Sequence, residues 1–201
     1  MEKFYSLPGL SYGYGELAPY ISEEQLKTHY EKHHAGYVGG ANLILEKLDK
    51  SKSEELDLKC ASKVFGFNVG GFVLHSLFWK NLAPKHKGGG GLPKGRIAKE
   101  IGKNFGSFDK FKEDFTRLAM SAEGSGWAAL AYCEMTERLI PMQIEKHNVN
   151  IYPTLRIVMV LDAFEHAYYI DYRNEKNKFF EAFWEIVDWE EVNRRLENIQ
   201  G

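Results

Sequence analysis

The stretch Leu161-Asp162-Ala163-Phe164-Glu165-His166-Ala167-Tyr168-Tyr169 follows an almost wholly apolar run, Ile157-Val158-Met159-Val160-Leu161. That run reads as a buried strand over 157–161. Where it ends, a carboxylate and an imidazole stand four residues apart, at Asp162 and His166. Core packing does not explain them, because a buried carboxylate needs a partner charge, hydrogen bonds or a metal. Two more imidazole-bearing stretches lie upstream, His29-Tyr30-Glu31-Lys32-His33-His34 and Asn68-Val69-Gly70-Gly71-Phe72-Val73-Leu74-His75. Three neutral imidazoles and one carboxylate form a mixed nitrogen and oxygen set suited to a first-row transition metal.

Working outward from the strand, Gly126–Cys133 and Arg138–Ile144 read as a strand pair turning at Thr136-Glu137. Pro141 cannot donate to a ladder, so it belongs at an edge or a bulge. Helices are predicted over Gly95–Phe105 and Ser107–Glu123, the second with Ser107 as its N-cap. A short helix from His166 follows, then Lys176–Ile186, then a last helix opened by the capping box of Asp188 and Glu191. In the first half, residues 1–20 read as an ordered, aromatic-anchored coil. Ser22 and Gln25 form a capping box that opens one long helix, with apolar and aromatic spacing from Leu26 through His29, His33 and Tyr37 to Leu48. Lys50-Ser51-Lys52-Ser53 is a polar connector, and a second helix runs from about Asp57 to Leu82, where Ala83-Pro84 ends it. Two long helices and a short link make an antiparallel hairpin, which brings His29 and His75 within reach of each other.

The glycine-rich segment Pro84–Pro93 is the clearest linker. The predicted fold is mostly α with an α+β second domain: coil and helical hairpin over 1–84, linker 85–92, and a domain with a small three-stranded antiparallel sheet over 93–201. His29 and His75 then come from one half, Asp162 and His166 from the other. The metal would sit between the domains, where binding sites are common.

The chain of 201 residues has an ordinary soluble composition, 44% hydrophobic and 27% charged. A net charge of −2 gives no basic footprint for nucleic acid or an anionic membrane. The opening Met1-Glu2-Lys3-Phe4-Tyr5 does not read as a signal peptide, so none is expected, and no apolar run approaches the roughly 20 residues of a membrane span. Cys60 and Cys133 read as two buried free thiols, so a cytoplasmic setting is expected.

Each candidate also has a plainer reading. His29, His33 and Tyr37 succeed one another by about 40° round an α-helix, which a His- and Tyr-rich packing face would also give. His34 sits off that face, as a structural hydrogen-bonding residue. A lone His75 in an apolar helix is usually a satisfied core residue. Yet Gly70 and Gly71 each cost the helix roughly 1 kcal/mol, which implies a close approach to this face. His86, in the linker, reads as solvated. Phe78, Trp79, Trp127 and Phe164 serve as core aromatics and, beside a metal, would also exclude water. Structural zinc is disfavoured because neither cysteine has ligand spacing. A three-His, one-Asp site with an open position could serve hydrolysis or simple metal storage, and spacing alone does not separate these.

Asp-x-x-Glu-His-Ala-Tyr-Tyr, together with His-x-x-x-His-His-x-x-Tyr near the start, resembles the iron/manganese superoxide dismutase family from Leu7 to about Leu196. The resemblance implies metal ligands at His29, His75, Asp162 and His166, with solvent in a fifth position. It implies that His33 and Tyr37 guard the substrate channel of an enzyme that dismutates superoxide. It also implies a homodimer, or a pair of dimers as a homotetramer, in which Glu165 meets the partner subunit's His166 and Tyr169 meets the partner subunit's His33. Phe164, Ala129 and Leu74 depart from the residues usual in the family beside the site.

Iron-type members commonly supply a Gln amide to the metal-bound solvent from the position of Gly71, and manganese-type members supply it from the sheet. Here the sheet segment reads Gln143-Ile144-Glu145-Lys146-His147-Asn148, as in archaeal members, so His147 is nominated instead. A strand-end His bonded to backbone is the competing reading. A neutral imidazole can donate or accept, which predicts a loose choice between one iron and one manganese per subunit, iron favoured.

Overall fold

The computed structural model describes residues 4–50 and 56–199. The hairpin is built from α1 (Glu23–Thr28), α2 (Ala35–Lys50) and α3 (Leu58–Lys80). Ser22 caps α1 by accepting the Gln25 backbone N–H at 3.1 Å, and Asp57 caps α3 through the Cys60 N–H at 3.0 Å. A π turn, His29–His34, separates α1 from α2, so the unbroken helix expected from Ser22 to Leu48 is interrupted at its first histidine. The wider turn replaces the 40° advance read from α-helical spacing, and such turns recur at functional sites. Most of the polar connector, Ser51-Lys52-Ser53, lies outside the described residues.

Next come α4 (Gly95–Phe105) and α5 (Phe108–Met120), the latter capped by Ser107 on the Lys110 N–H at 3.1 Å. The helix expected to reach Glu123 stops at Met120. Ser121 and Ala122 close it with turns onto Leu118 and Ala119, and Gly124 adopts φ +71°. The sheet holds β1 (Gly126–Cys133), β2 (Arg138–Glu145) and β3 (Leu155–Asp162) in the antiparallel order β2-β1-β3. Every residue of central β1 is buried, and Pro141 lies on the edge strand β2, where a missing donor disrupts no second ladder. The third strand starts at Leu155, two residues before the apolar run suggested.

Beyond β3 the short helix predicted from His166 resolves into a 3-10 turn, Glu165–Ala167, and α6 (Tyr169–Tyr172). The chain ends in α7 (Lys176–Trp184) and α8 (Trp189–Glu197), the second capped by Asp188 on the Glu191 N–H at 2.9 Å.

The end of α3 is stitched to the sheet half. Asn81 accepts the Val160 N–H at its side chain (3.1 Å) and the Asp188 N–H at its backbone (2.9 Å). Arg195 donates to the carbonyls of both Leu77 (2.9 Å) and Val158 (3.1 Å). These bonds fix α3 against β3, and with them the distance between His75 and Asp162. The buried core is aromatic, with Phe78, Phe111, Phe115, Trp127, Phe179 and Phe183 fully enclosed.

Both cysteines are free, but only Cys133 is buried; Cys60 lies in the exposed first turn of α3. His86 is exposed as expected and lies 3.1 Å from Glu16. No helix among the described residues is long and apolar enough to cross a membrane.

Candidate metal centre

Four side chains from four different elements converge. His29 opens the π turn, His75 lies in α3, Asp162 is the last residue of β3, and His166 sits in the 3-10 turn. Their ligand atoms all lie within 4.8 Å of one another. Asp162 Oδ2 is 3.1 Å from His29 Nε2, 3.1 Å from His166 Nε2 and 3.6 Å from His75 Nε2.

Each atom is presented by its neighbours. The Gly71 carbonyl accepts from His75 Nδ1 at 2.6 Å, which leaves the Nε2 lone pair bare. The Phe164 backbone N–H donates to Asp162 Oδ1 at 2.9 Å, so Oδ2 is the oxygen left facing the imidazoles. His29 Nε2 is buried and makes no aligned hydrogen bond.

This donor set fits a metal ion. Nitrogen and oxygen donors about 2.0–2.2 Å from a common ion lie roughly 3 Å apart at right angles and roughly 3.6 Å apart at 120°. The observed spacings match those values, and an ion would satisfy the orphaned His29 nitrogen. Protonation also fits. Burial pushes the His29 imidazole down to about 4, and burial followed by the His29 charge holds His75 well below its ordinary value. Burial alone would raise the Asp162 carboxyl, but the adjacent His166 and His29 imidazoles outweigh it and hold the group low. At neutral pH the site therefore offers bare nitrogens at His29 and His75 and an ionised carboxylate at Asp162.

The surroundings are aromatic. The Trp79 ring lies 4.7 Å and the Phe78 ring 5.7 Å from that of His29, and Trp127 lies 4.9 Å from His75. The half-buried His33 ring is 4.4 Å from His166, and Tyr37 is 5.1 Å from His75. Both glycines meet the close approach that their helix cost implied. A Cβ at Gly71 would lie 2.6 Å from the Tyr37 ring, and one at Gly70 would collide with the His147 carbonyl. Glu165 and Tyr169 are exposed beside His166.

The alpha-hairpin domain model of the iron/manganese superoxide dismutases matches residues 4–83, and their C-terminal domain model matches residues 93–195. The chain belongs to the iron/manganese superoxide dismutase family. It is 56% identical to the superoxide dismutase [Fe] of Methanothermobacter marburgensis over 98% of both chains. It is 46% identical to the superoxide dismutase [Fe] of Pyrobaculum aerophilum, over 97% of this chain and 93% of that one. A superoxide dismutase [Mn/Fe] of Aeropyrum pernix is likewise 46% identical, over 97% and 92%.

Within this family member, His147 differs from one reading of the sequence. It is fully buried, and its partner is an indole rather than backbone: Trp127 Nε1–H donates to His147 Nδ1 at 3.0 Å. A turn closed by Glu145 and Val149, with Lys146 at φ 52°, swings the ring inward from the end of β2. Gln143, the amide within strand β2, belongs to the other face. Trp127 pairs with Ile144 and Asp162 on the metal side, and alternation puts Gln143 opposite. Leu74 and Ala129 are plain buried core, whereas Phe164 stacks between His147 (4.5 Å) and His166 (4.7 Å).

Sequence reasoning missed Gln25 as more than a cap residue. Its amide donates to the His166 carbonyl at 2.6 Å and accepts the Ile170 N–H at 3.1 Å, anchoring the turn that carries a ligand. Nothing near Gln25 in the sequence signals partners more than 140 positions away.

Proposed function

We propose that this chain is a superoxide dismutase, turning two superoxide ions and two protons into dioxygen and hydrogen peroxide. The observation that carries the reading is the convergence of His29, His75, Asp162 and His166 on one point, in a chain whose relatives are named for this activity. These four side chains would hold one iron or manganese ion, iron first, since relatives sharing about half of this sequence bear its name. When bound, that ion supplies a one-electron relay, oxidising one superoxide to dioxygen and reducing a second to peroxide.

The residues of the chain do the rest. Asp162 supplies the anionic ligand, which favours the more highly charged state of the ion. Phe78, Trp79, Trp127 and Phe164 keep bulk water away and so sharpen electrostatic control. His33 and Tyr37 flank the approach to the ligands. Burial, then the Asp162 charge, raises the Tyr37 phenol, which therefore keeps its proton at Oη for transfer toward the reduced product. His147 offers a hydrogen bond to solvent held at the centre.

We further read the chain as a cytoplasmic homodimer, able to pair into a tetramer. Glu165 supports this: it is exposed, and among the described residues no hydrogen bond within the chain engages its carboxylate. It is free to meet the partner subunit's His166, and the exposed Tyr169 the partner subunit's His33. The same reading divides the chain at 85–92, with each half providing two ligands.

Metal analysis and superoxide consumption, measured on one purified sample, test the proposal. One ion per chain with rapid consumption is the expected result. Full metal without consumption would leave a storage or hydrolytic site and refute dismutation.

A further inference from the structure

Two buried tryptophans touch metal ligands, Trp79 against His29 at 4.7 Å and Trp127 against His75 at 4.9 Å. Their onward neighbours differ. The other rings around Trp127 belong to Phe78, His147 and Phe164, none of which gives up an electron readily. Trp79 instead meets Tyr30 at 6.1 Å, and Tyr30 meets Tyr14 at 6.3 Å. Each step lies within the roughly 4.5–7 Å of rings in direct contact. Tyr14 is half-buried and lines a surface cleft with Leu10, Tyr12 and Tyr30, so a row of oxidisable rings leads from a ligand to solvent. Tyr37 also meets a ligand, but among the described residues no protein group accepts its phenol proton.

Proton partners grade the same row. A phenol that loses an electron becomes a strong acid, so its oxidation is easy only where a base stands ready for the proton. Tyr30 Oη donates to the Pro8 carbonyl at 2.8 Å, and a carbonyl is no such base. Tyr14 Oη donates to Glu31 Oε1 at 2.8 Å, and a carboxylate is one. Trp79 Nε1–H faces the His34 Nδ1 lone pair at 3.1 Å, which steadies the indole when its ring loses electron density. Trp79 is therefore a relay, Tyr30 a bridge that the charge crosses, and Tyr14 the place where it settles.

We propose that Trp79, Tyr30 and Tyr14 form a protective path that carries one-electron oxidation out of the metal centre to a surface phenol. The oxidant rests on the dismutase reading: it arises when hydrogen peroxide, the product, meets ferrous iron. One electron from that iron splits the O–O bond, giving hydroxide, a hydroxyl radical and ferric iron. The radical takes one electron from the Trp79 indole and becomes a second hydroxide. Trp79 recovers its electron from Tyr14 across Tyr30, while the Tyr14 proton passes from Oη to Glu31. What remains is a neutral phenoxyl radical at Tyr14, open to solvent, where a thiol in solution returns a hydrogen atom. Without the path the oxidation would come to rest on the side chains around the ion.

The test treats the iron-loaded, full-length protein with hydrogen peroxide and a nitroso spin trap, and maps the adducts by peptide mass spectrometry. The wild type should carry the trap on Tyr14 in preference to Tyr152, whose ring is the more exposed. Tyr30→Leu removes the bridge and leaves Tyr14 and Glu31 in place, so it should lose the Tyr14 adduct and gain oxidised Trp79. Tyr14→Phe should consume superoxide at the wild-type rate when fresh but lose that activity faster under peroxide. A wild type without the Tyr14 adduct overturns the proposal, whether or not the variants fold. A folded Tyr30→Leu chain that labels Tyr14 as the wild type does overturns it as well. Labelling of Tyr14, abolished by Tyr30→Leu, in a chain that consumes no superoxide would defeat the dismutase reading and leave the path standing.

Discussion

Replacing Gly70 with alanine tests the packing that seats His147 against α3. Two effects compete. Alanine in a helix interior is worth about 1 kcal/mol over glycine, which favours the variant. Against this, the new Cβ would run into the backbone carbonyl of His147, and a backbone atom cannot rotate away as a side-chain tip can. Overpacking of this kind costs about 1–3 kcal/mol, and the rigid obstacle places Gly70→Ala near the upper end. The net loss should be about 1–2 kcal/mol, a fall of about 2–8 °C in melting temperature for a chain of this size. Gly39 in α2 supplies the control, because a Cβ there meets nothing within 4 Å. Gly39→Ala should therefore gain stability, by up to about 1 kcal/mol. Thermal melts of the metal-free proteins, followed by circular dichroism, compare the two. If Gly70→Ala matches or exceeds the wild type while Gly39→Ala behaves as expected, the close approach of His147 to α3 is wrong.

Asp162→Ala removes the one anionic ligand and should strip the metal and abolish activity; a variant that kept both, by metal analysis and assay, would remove Asp162 from the site. Tyr37→Phe should keep its metal but slow turnover at high superoxide, and unchanged turnover there would reduce Tyr37 to packing. Glu165→Ala should weaken both self-association and metal retention, so an unaltered, fully metallated dimer by light scattering would deny its bridging role. His34 links stability to acid: burial holds its folded value at about 4, below its ordinary 6.5, so the unfolded chain takes up the proton first. Its contribution is complete above pH 6.5 and drains away as the pH falls toward 4, by roughly 3 kcal/mol. Urea melts at pH 7 and pH 4.5 should show a smaller acid loss in His34→Gln than in wild type; an equal loss would mean that His34 is not buried neutral.

The sequence by itself determined most of the elements and marked out the candidate ligands, because both are written in local signals. The capping residues Ser22, Ser107 and Asp188 each take the role expected of them, and the apolar run before Asp162 is β3. Asp162 stood out as a carboxylate that a core could not otherwise hold, motif resemblance joined His29, His75 and His166 to it, and the two adjacent glycines announced a crowded face. What approached those glycines was decided only by the fold. The Tyr37 ring and the His147 carbonyl come from segments 34 and 77 positions away, and no helical spacing encodes them. The π turn at His29 was hidden too, because an extra residue per turn leaves the pattern of apolar side chains almost unchanged. Most of all, the sequence showed that His147 was an imidazole but not what its ring would meet. That depends on an indole on a neighbouring strand whose N–H can only donate, and only the tertiary structure brings the two to 3.0 Å.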